Sequence, residues 1–454
     1  MKKSIKTINP FNNQDIKEYK LHTAQQLSDI LECSNTTFYN WRQTSIKERC
    51  RLLMNLAQIL EDDKRDLAKL ITQEMGKPYL ESIAEIEKCM TLCDFYATNA
   101  DDFLADELIE TDASESFISY DPLGTILAIM PWNYPFWQVM RFAIPTLTAG
   151  NTAILKHAAN VSGCAMAIEK LFEKAGFLKG CFTTILASHD AVENLIANDR
   201  IKAVTLTGSE KAGQSIAAIA GKHLKKTVLE LGGNNACIVL DDADLDKYMD
   251  VIVHARMQNA GQSCIAAKRF IVTENIYDDF LKRFKEKVAA LKSGDPMDKH
   301  TTIGTLARAD LGETLKKQIE DSIQLGATVV TGNKLNKAYF EPTILINITK
   351  DMPVFKEETF GPVAPIMKVK TSEEAFRMAS DTNYGLGTMV FTQSIETAQN
   401  YIDTIEDGAY FVNELVKSDA RLPFGGTKSS GYGRELSKEG IHEFVNKKTV
   451  FINH

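Results

Sequence analysis

The chain has 454 residues, of which 44% are hydrophobic and 25% charged, and its formal net charge is −8. At ~100–200 residues per domain this length holds two or three domains, and the composition suits a globular chain with a large core. The acidic balance, without a long Lys/Arg run, excludes a binder of phosphate backbones, and no run of ~18 apolar residues offers a membrane span, so neither nucleic acid nor membrane is expected as a partner.

Met1, Lys2 and Lys3 are followed by polar residues rather than an apolar stretch, which does not read as a secretory leader. The eight cysteines show no C-x-x-C spacing and read as reduced thiols, so a cytoplasmic location is expected. Cys89 and Cys93 share a helical face, but no further His or Cys completes a ligand set, and no metal is expected.

Along the chain, residues 46–75 carry Ile46, Leu52, Leu53, Leu56, Ile59, Leu60, Leu67, Leu70 and Ile71 at helical spacing, and Gly76 and Pro78 supply a stop. A second helix is expected over 79–104. Continuous apolar runs at 124–130, 153–155, 203–207 and 237–240 read as strands buried on both faces. Helical segments near 161–176 and 210–222 separate them. This alternation predicts an α/β fold with parallel sheets. It continues with a strand ending at 271–272 and with helices over 276–292 and 308–325, the last closed by Gly326. No Pro/Gly/Ser linker marks a boundary.

Five segments carry chemistry. Pro131-Trp132-Asn133-Tyr134-Pro135 forms a rigid turn in which an Asn amide can hold a fixed donor toward a developing oxyanion. Lys156 stands at a strand end, where it could meet ribose or phosphate. Thr207-Gly208-Ser209-x-x-x-Gly213 follows a strand and opens a helix, whose free N–H groups suit a phosphate. Glu230-Leu231-Gly232-Gly233 and Gly261-Gln262-Ser263-Cys264 set a carboxylate and a thiol in glycine turns, a pairing suited to covalent attack on a carbonyl and activation of a water. Taken singly, each also reads as plain structure: a loop, a solvated lysine, a buried inert cysteine.

Taken in order, the matches are PWN at 131–133, LKHA at 155–158, TGS and Gly213 at 207–213, LELGG at 229–233, GQSC at 261–264, EETFGP at 357–362 and PFGGxKxSGxG at 423–433. With these the chain resembles the aldehyde dehydrogenase superfamily along nearly its whole length. The resemblance implies a Rossmann-type nucleotide-binding domain (1–104 and 123–231), an α/β catalytic domain (232–430) and a small β oligomerisation arm (105–122 and 431–454) that serves a homodimer or homotetramer. It implies Cys264 as nucleophile, Asn133 with the Cys264 N–H as oxyanion hole, and Glu230 as the base for the deacylating water. Lys156 corresponds to the adenine-ribose contact, Ser209 between Gly208 and Gly213 to the pyrophosphate contact, and Glu358 to the nicotinamide-ribose contact, with Phe360, Trp132 and Leu231 beside the cofactor.

Relatives that select NAD commonly carry an acid three positions after that lysine. Here it is Ala159, so NADP is expected to be accepted, alongside or in place of NAD. The chain looks most similar to the succinate-semialdehyde dehydrogenase branch, in its bacterial Sad-like subgroup. Arg141 and Ser418 match that branch's carboxylate-anchoring positions, and an Arg fork suits a carboxylate. Gln258 departs from a second arginine often found there, and Arg256 or Arg421 could compensate. Ala266 replaces a cysteine that in some relatives forms a redox disulfide. The activity implied is oxidation of a small aldehyde, succinate semialdehyde, to its acid through a cysteine thioester. A broad aliphatic aldehyde dehydrogenase is the alternative enzyme reading, and a non-catalytic structural or binding member is the alternative from another class.

Overall fold

The computed structural model describes residues 4–454, and Met1, Lys2 and Lys3, with the charged opening read above, lie outside them. The two expected N-terminal helices occur as Ile46–Met75 and Tyr79–Leu104. Between them Gly76 takes φ +77, a left-handed conformation that glycine adopts without steric cost, and caps the first helix.

A six-stranded sheet runs in the order Gly431–Tyr432, Lys226–Glu230, Ile201–Thr207, Thr125–Met130, Thr152–His157 and Phe182–Ile185. All pairs are parallel except the first, in which Gly431 lies opposite Glu230. Its central strands are buried on both faces, as their unbroken apolar runs require. A seven-stranded sheet runs in the order Thr328–Thr331, Thr343–Ile346, Val363–Val369, Arg269–Thr273, Ala236–Val239, Thr388–Phe391 and Tyr410–Val412. Only its first pair is antiparallel. A third sheet joins Glu107–Leu108, Glu115–Pro122 and Val445–Ile452. The segment from 431 is thus divided: its first strand closes the six-stranded sheet, and only Val445–Ile452 lies in the small one.

This topology fixes where a ligand can sit. Thr125–Met130 is flanked by Thr152–His157 on one side and by Ile201–Thr207 on the other. The chain therefore reverses its direction of winding between Thr125–Met130 and Ile201–Thr207, and ligands of open α/β sheets bind outside the carboxyl ends of strands at such a switch. The PWN turn and the Gly208-Ser209 turn leave those two strand ends.

One buried ion pair holds the turn in place. Lys77 pairs with Glu85, and both side chains are almost wholly buried. Glu85 Oε1 also accepts the N–H groups of Phe136 (2.8 Å) and Trp137 (3.0 Å), capping the helix Trp137–Thr148 just beyond the PWN turn. Removing one partner leaves the other charge buried without compensation, at a cost of about 3–5 kcal/mol. Lys77→Met is therefore expected to lower the thermal unfolding temperature clearly, whereas Lys6→Met, which removes an exposed pair with Asp15, should leave it nearly unchanged in the same scan.

Candidate active site

Cys264 lies between the turn Gln258–Gly261 and the strand Arg269–Thr273. Asn259, Ala260 and Gly261 are all left-handed, at φ 54, 51 and 72. Three such residues in succession need outside support, because a side chain in this region costs about 1–2 kcal/mol per residue. The support is visible. The Asn259 N–H donates to Glu81 Oε2 (2.8 Å), and its Nδ2 donates to Asn133 O (2.8 Å) and Gln262 O (3.2 Å). Gln262 is buried, donates to Asn259 O (3.0 Å) and accepts from the Ala307 N–H (2.9 Å). A Cβ at Gly261 would collide with the Gly361 carbonyl, so this position admits only glycine.

Asn133 joins the same knot. It is buried, and its Nδ2 donates to Gln262 O at 3.1 Å. An amide nitrogen carries two N–H groups, so one remains to donate. On the other side of Cys264, its carbonyl accepts from Asn235 Nδ2 (2.6 Å) and Lys268 Nζ (2.8 Å). The sulfur is a free, partly buried thiol. Burial pushes its pKa up to about 11, while Arg141 and Lys268 pull it down.

Cys264 opens onto a cleft of about 210 Å³ shared with Lys88, Trp137, Arg141, Gln258 and Ser418. Pockets for drug-sized ligands span ~300–1,000 Å³, so this one suits a molecule of a few carbons. The three residues expected at the substrate end, Arg141, Gln258 and Ser418, all line it. Arg141 is also committed elsewhere: buried, it pairs with Glu435 and stacks at 4.5 Å on Phe424. The two arginines considered as compensation for Gln258 do not reach the cleft. Arg256 is buried and donates to the carbonyls of Ala267 (2.9 Å), Thr359 (2.9 Å) and Gly361. Arg421 is exposed and paired with Asp419 at 2.7 Å. The cation present instead is Lys88, from the helix Tyr79–Leu104, which the spacing of apolar residues gave no reason to single out.

Glu230 ends the strand Lys226–Glu230 and is not among the residues that line the cleft. It is buried, and its Oε1 has no hydrogen-bond partner. Burial and the neighbouring Glu435 raise its pKa well above the usual carboxylate range, with Arg141 and Arg434 opposing. The space before it is kept by Gly425, where a Cβ would lie 2.8 Å from Oε1.

The cofactor residues spread from the same turn. Glu358 Oε1 accepts from the Gly233 N–H (3.1 Å) and pairs with Lys268 (3.0 Å). A Cβ at Gly232 would stand 2.5 Å from Glu358 Oε2, so that glycine makes room for the carboxylate. Phe360 meets Trp132 edge-on, centroids 5.7 Å apart. Ser209 caps the helix Glu210–Lys222 and accepts from the Ala212 N–H at 3.3 Å. A Cβ at Gly213 would reach Leu231 at 2.6 Å, so the glycine lets this helix close on Leu231. Gly208 has no such crowding.

Farther out, cavities of about 1450 and 700 Å³ meet at Lys156, Ala159 and His189. The smaller is lined by Lys6, Lys156, Arg308 and Lys337 and by no carboxylate. Lys6 and Arg308 already have acidic partners, whereas burial draws down the pKa of Lys156. The donor set fits a phosphorylated dinucleotide: open strand ends, a capped helix start, a carboxylate for a ribose and the basic lining of the smaller cavity, while Glu18 and Asp190 line the larger one that shares Lys156 and Ala159. Among the described residues no group of three His, Cys, Asp or Glu could hold a metal ion, and no helix is long and apolar enough to cross a membrane.

The sequence model of the aldehyde dehydrogenase family matches residues 1–450. A probable succinate-semialdehyde dehydrogenase [NADP(+)] of Synechocystis is 48% identical over 99% of this chain and 100% of its own. Succinate semialdehyde dehydrogenase [NAD(P)+] Sad of Escherichia coli is 44% identical over 98% of this chain and 97% of its own. Among solved structures, succinic semialdehyde dehydrogenase from Streptococcus pyogenes in complex with NADP+ superposes with a TM-score of 0.97 at 40% identity, covering 99% of this chain and 100% of that one.

Because the Cys264 thiol is held up at about 11, its reactive thiolate should increase steadily with pH between neutrality and that value. Alkylation of the free enzyme by iodoacetamide, followed at the Cys264 peptide, is expected to accelerate about tenfold per pH unit from 7 to 10. Lys268→Met removes a cation that lowers the thiol pKa and should slow alkylation at every pH in that range.

Proposed function

Since this chain belongs to the aldehyde dehydrogenase family, we propose that it oxidises succinate semialdehyde to succinate with NADP+, and with NAD+ as a second acceptor. The observation that carries this reading is the small cleft that Cys264 shares with Lys88, Arg141 and Ser418, cationic and hydroxyl donors suited to a carboxylate.

The proposed chemistry runs on this chain's residues. The Cys264 sulfur, as thiolate, adds to the aldehyde carbon, and the carbonyl π pair moves onto oxygen. The free Asn133 N–H and the Cys264 backbone N–H receive that oxyanion. When bound, the nicotinamide accepts the hydride that leaves the former aldehyde carbon. Glu358, fixed by Lys268 and the Gly233 N–H, would hold a ribose of that cofactor. The product on Cys264 is a thioester. Glu230 then takes a proton from a water, the water oxygen adds to the acyl carbon, and the sulfur leaves as the acid is released. Glu230 must turn from its buried site toward the cleft to do this, and Gly425 leaves that side unblocked.

The choice of NADP+ rests on Ala159, which sets no acid three positions after Lys156, and on the basic lining of the smaller cavity. The strand Val445–Ile452 forms the edge of its sheet and leaves Phe451 half exposed, which supports pairing with a second copy in a dimer or tetramer. One observation favours a second reading, a broad aliphatic aldehyde dehydrogenase: the Arg141–Glu435 pair gives Arg141 a structural occupation.

Steady-state kcat/KM for succinate semialdehyde and butanal, each with NADP+ and NAD+, separates the two readings. Strong preference for the semialdehyde is expected, and equal values would establish the broad enzyme. Asn133→Ala should lower kcat by about 10²–10³ with intact folding. Ala159→Glu sets a carboxylate against the 2′-phosphate and should weaken NADP+ binding by about tenfold or more, read by quenching of protein fluorescence, while NAD+ binding holds.

A further inference from the structure

The cleft contains more donors than the protein uses. Lys88 sets its Nζ 2.7 Å from Ser418 Oγ and 4.2 Å from the centroid of the Trp137 ring. Among the described residues no carboxylate forms a salt bridge with it. The acids whose charge reaches it from farther away are Glu85 and Asp419, and both are already engaged: Glu85 by Lys77 and two helix N–H groups, Asp419 by Arg421. Burial, with Arg141 nearby, draws the Lys88 ammonium down to about 8, as befits a cation short of counter-charge.

Its neighbour Ser418 is buried and accepts twice, from Lys88 Nζ and from Trp137 Nε1 at 3.1 Å. A hydroxyl oxygen has two lone pairs, so both are occupied and its single proton is left to donate. Arg141 Nη2 is buried and also lacks a hydrogen-bond partner. Half-buried Lys88, the Ser418 proton and Arg141 Nη2 thus belong to one small cleft, whose lining also includes Glu81, engaged by the Asn259 N–H, and Glu85, engaged by Lys77. The tail carboxylate of a substrate would offer two acceptor oxygens to these donors.

We propose that Lys88 is a specificity-determining residue of this enzyme: together with the Ser418 hydroxyl and Arg141 Nη2 it binds the tail carboxylate of the aldehyde, and supplies the second positive charge that Gln258 does not. The assignment rests on the semialdehyde reading above. It differs from a packing role, in which Lys88 would merely cover Trp137 and a methionine could replace it.

The test compares wild type, Lys88→Met and Lys88→Arg with succinate semialdehyde and butanal under saturating NADP+. A lost charge-assisted bond is expected to raise KM for the semialdehyde about 10–100-fold in Lys88→Met, with kcat nearly unchanged and butanal kinetics retained. Lys88→Arg should recover most of the affinity. Butanal turnover reports that each variant is folded; should methionine disrupt it, Lys88→Gln keeps a polar contact to Ser418 without the charge and is measured instead. An unchanged preference for the semialdehyde in the uncharged variant overturns the role of Lys88 alone. A wild type that treats both aldehydes alike overturns the semialdehyde reading, and the carboxylate anchor with it.

Discussion

The structure depends on a turn that must hold Asn259, Ala260 and Gly261 in left-handed backbone so that Cys264 emerges between two sheets. Left alone, such a turn would relax. It persists because its polar groups are bound from several directions: by Glu81, by the Asn133 carbonyl, by the segment at Ala307 through Gln262, and by Arg256, which donates to the Gly261 carbonyl (3.4 Å) as well as to those of Ala267, Thr359 and Gly361. Most of these partners are buried, where a missing hydrogen bond is costly. The rigidity of the turn is thus shared by elements far apart in sequence, and the position of the sulfur is inherited from the whole assembly.

The same low-dielectric surroundings explain the charges. Burial raises both the Cys264 thiol and the Glu230 carboxyl, so that neither is reactive by default. Arg141 and Lys268 oppose that on the sulfur side, and Lys268 also ties Glu358 to the loop that carries Cys264. Arg141 links the two reactive groups electrostatically, since its partner Glu435 is one of the causes that raise Glu230. On the proposed mechanism, substrate and water are activated at different moments, and a base whose proton affinity burial raises is compatible with that order.

Much of the scaffold was legible because local signals were strong. The helix expected over 46–75 is Ile46–Met75, and the one over 79–104 is Tyr79–Leu104, since a long apolar stripe and a Gly/Pro stop leave few alternatives. The buried parallel strands followed from unbroken apolar runs. The hairpin of Ser4–Ile8 and Asp15–Lys20 was not foreseen, being polar and largely exposed, and neither was the two-residue strand at Gly431, which exists only because Glu230 lies opposite. At the site, motif residues stood out through glycine and proline context. Lys88 did not: it is one lysine on a mixed helix face, and its meaning comes from Ser418, 330 residues away. Glu435, the partner of Arg141, was hidden in the same way. Charge pairing across the chain leaves no periodic trace.

Trapping the acyl group tests the proposed chemistry most directly. In Glu230→Gln the base is lost while the sulfur is unchanged, so succinate semialdehyde with NADP+ should give one stoichiometric burst of NADPH. Acid-quenched peptides should then carry a succinyl thioester on Cys264 alone. A burst without acylation at Cys264, or steady turnover in that variant, would contradict a thioester on this sulfur resolved by Glu230.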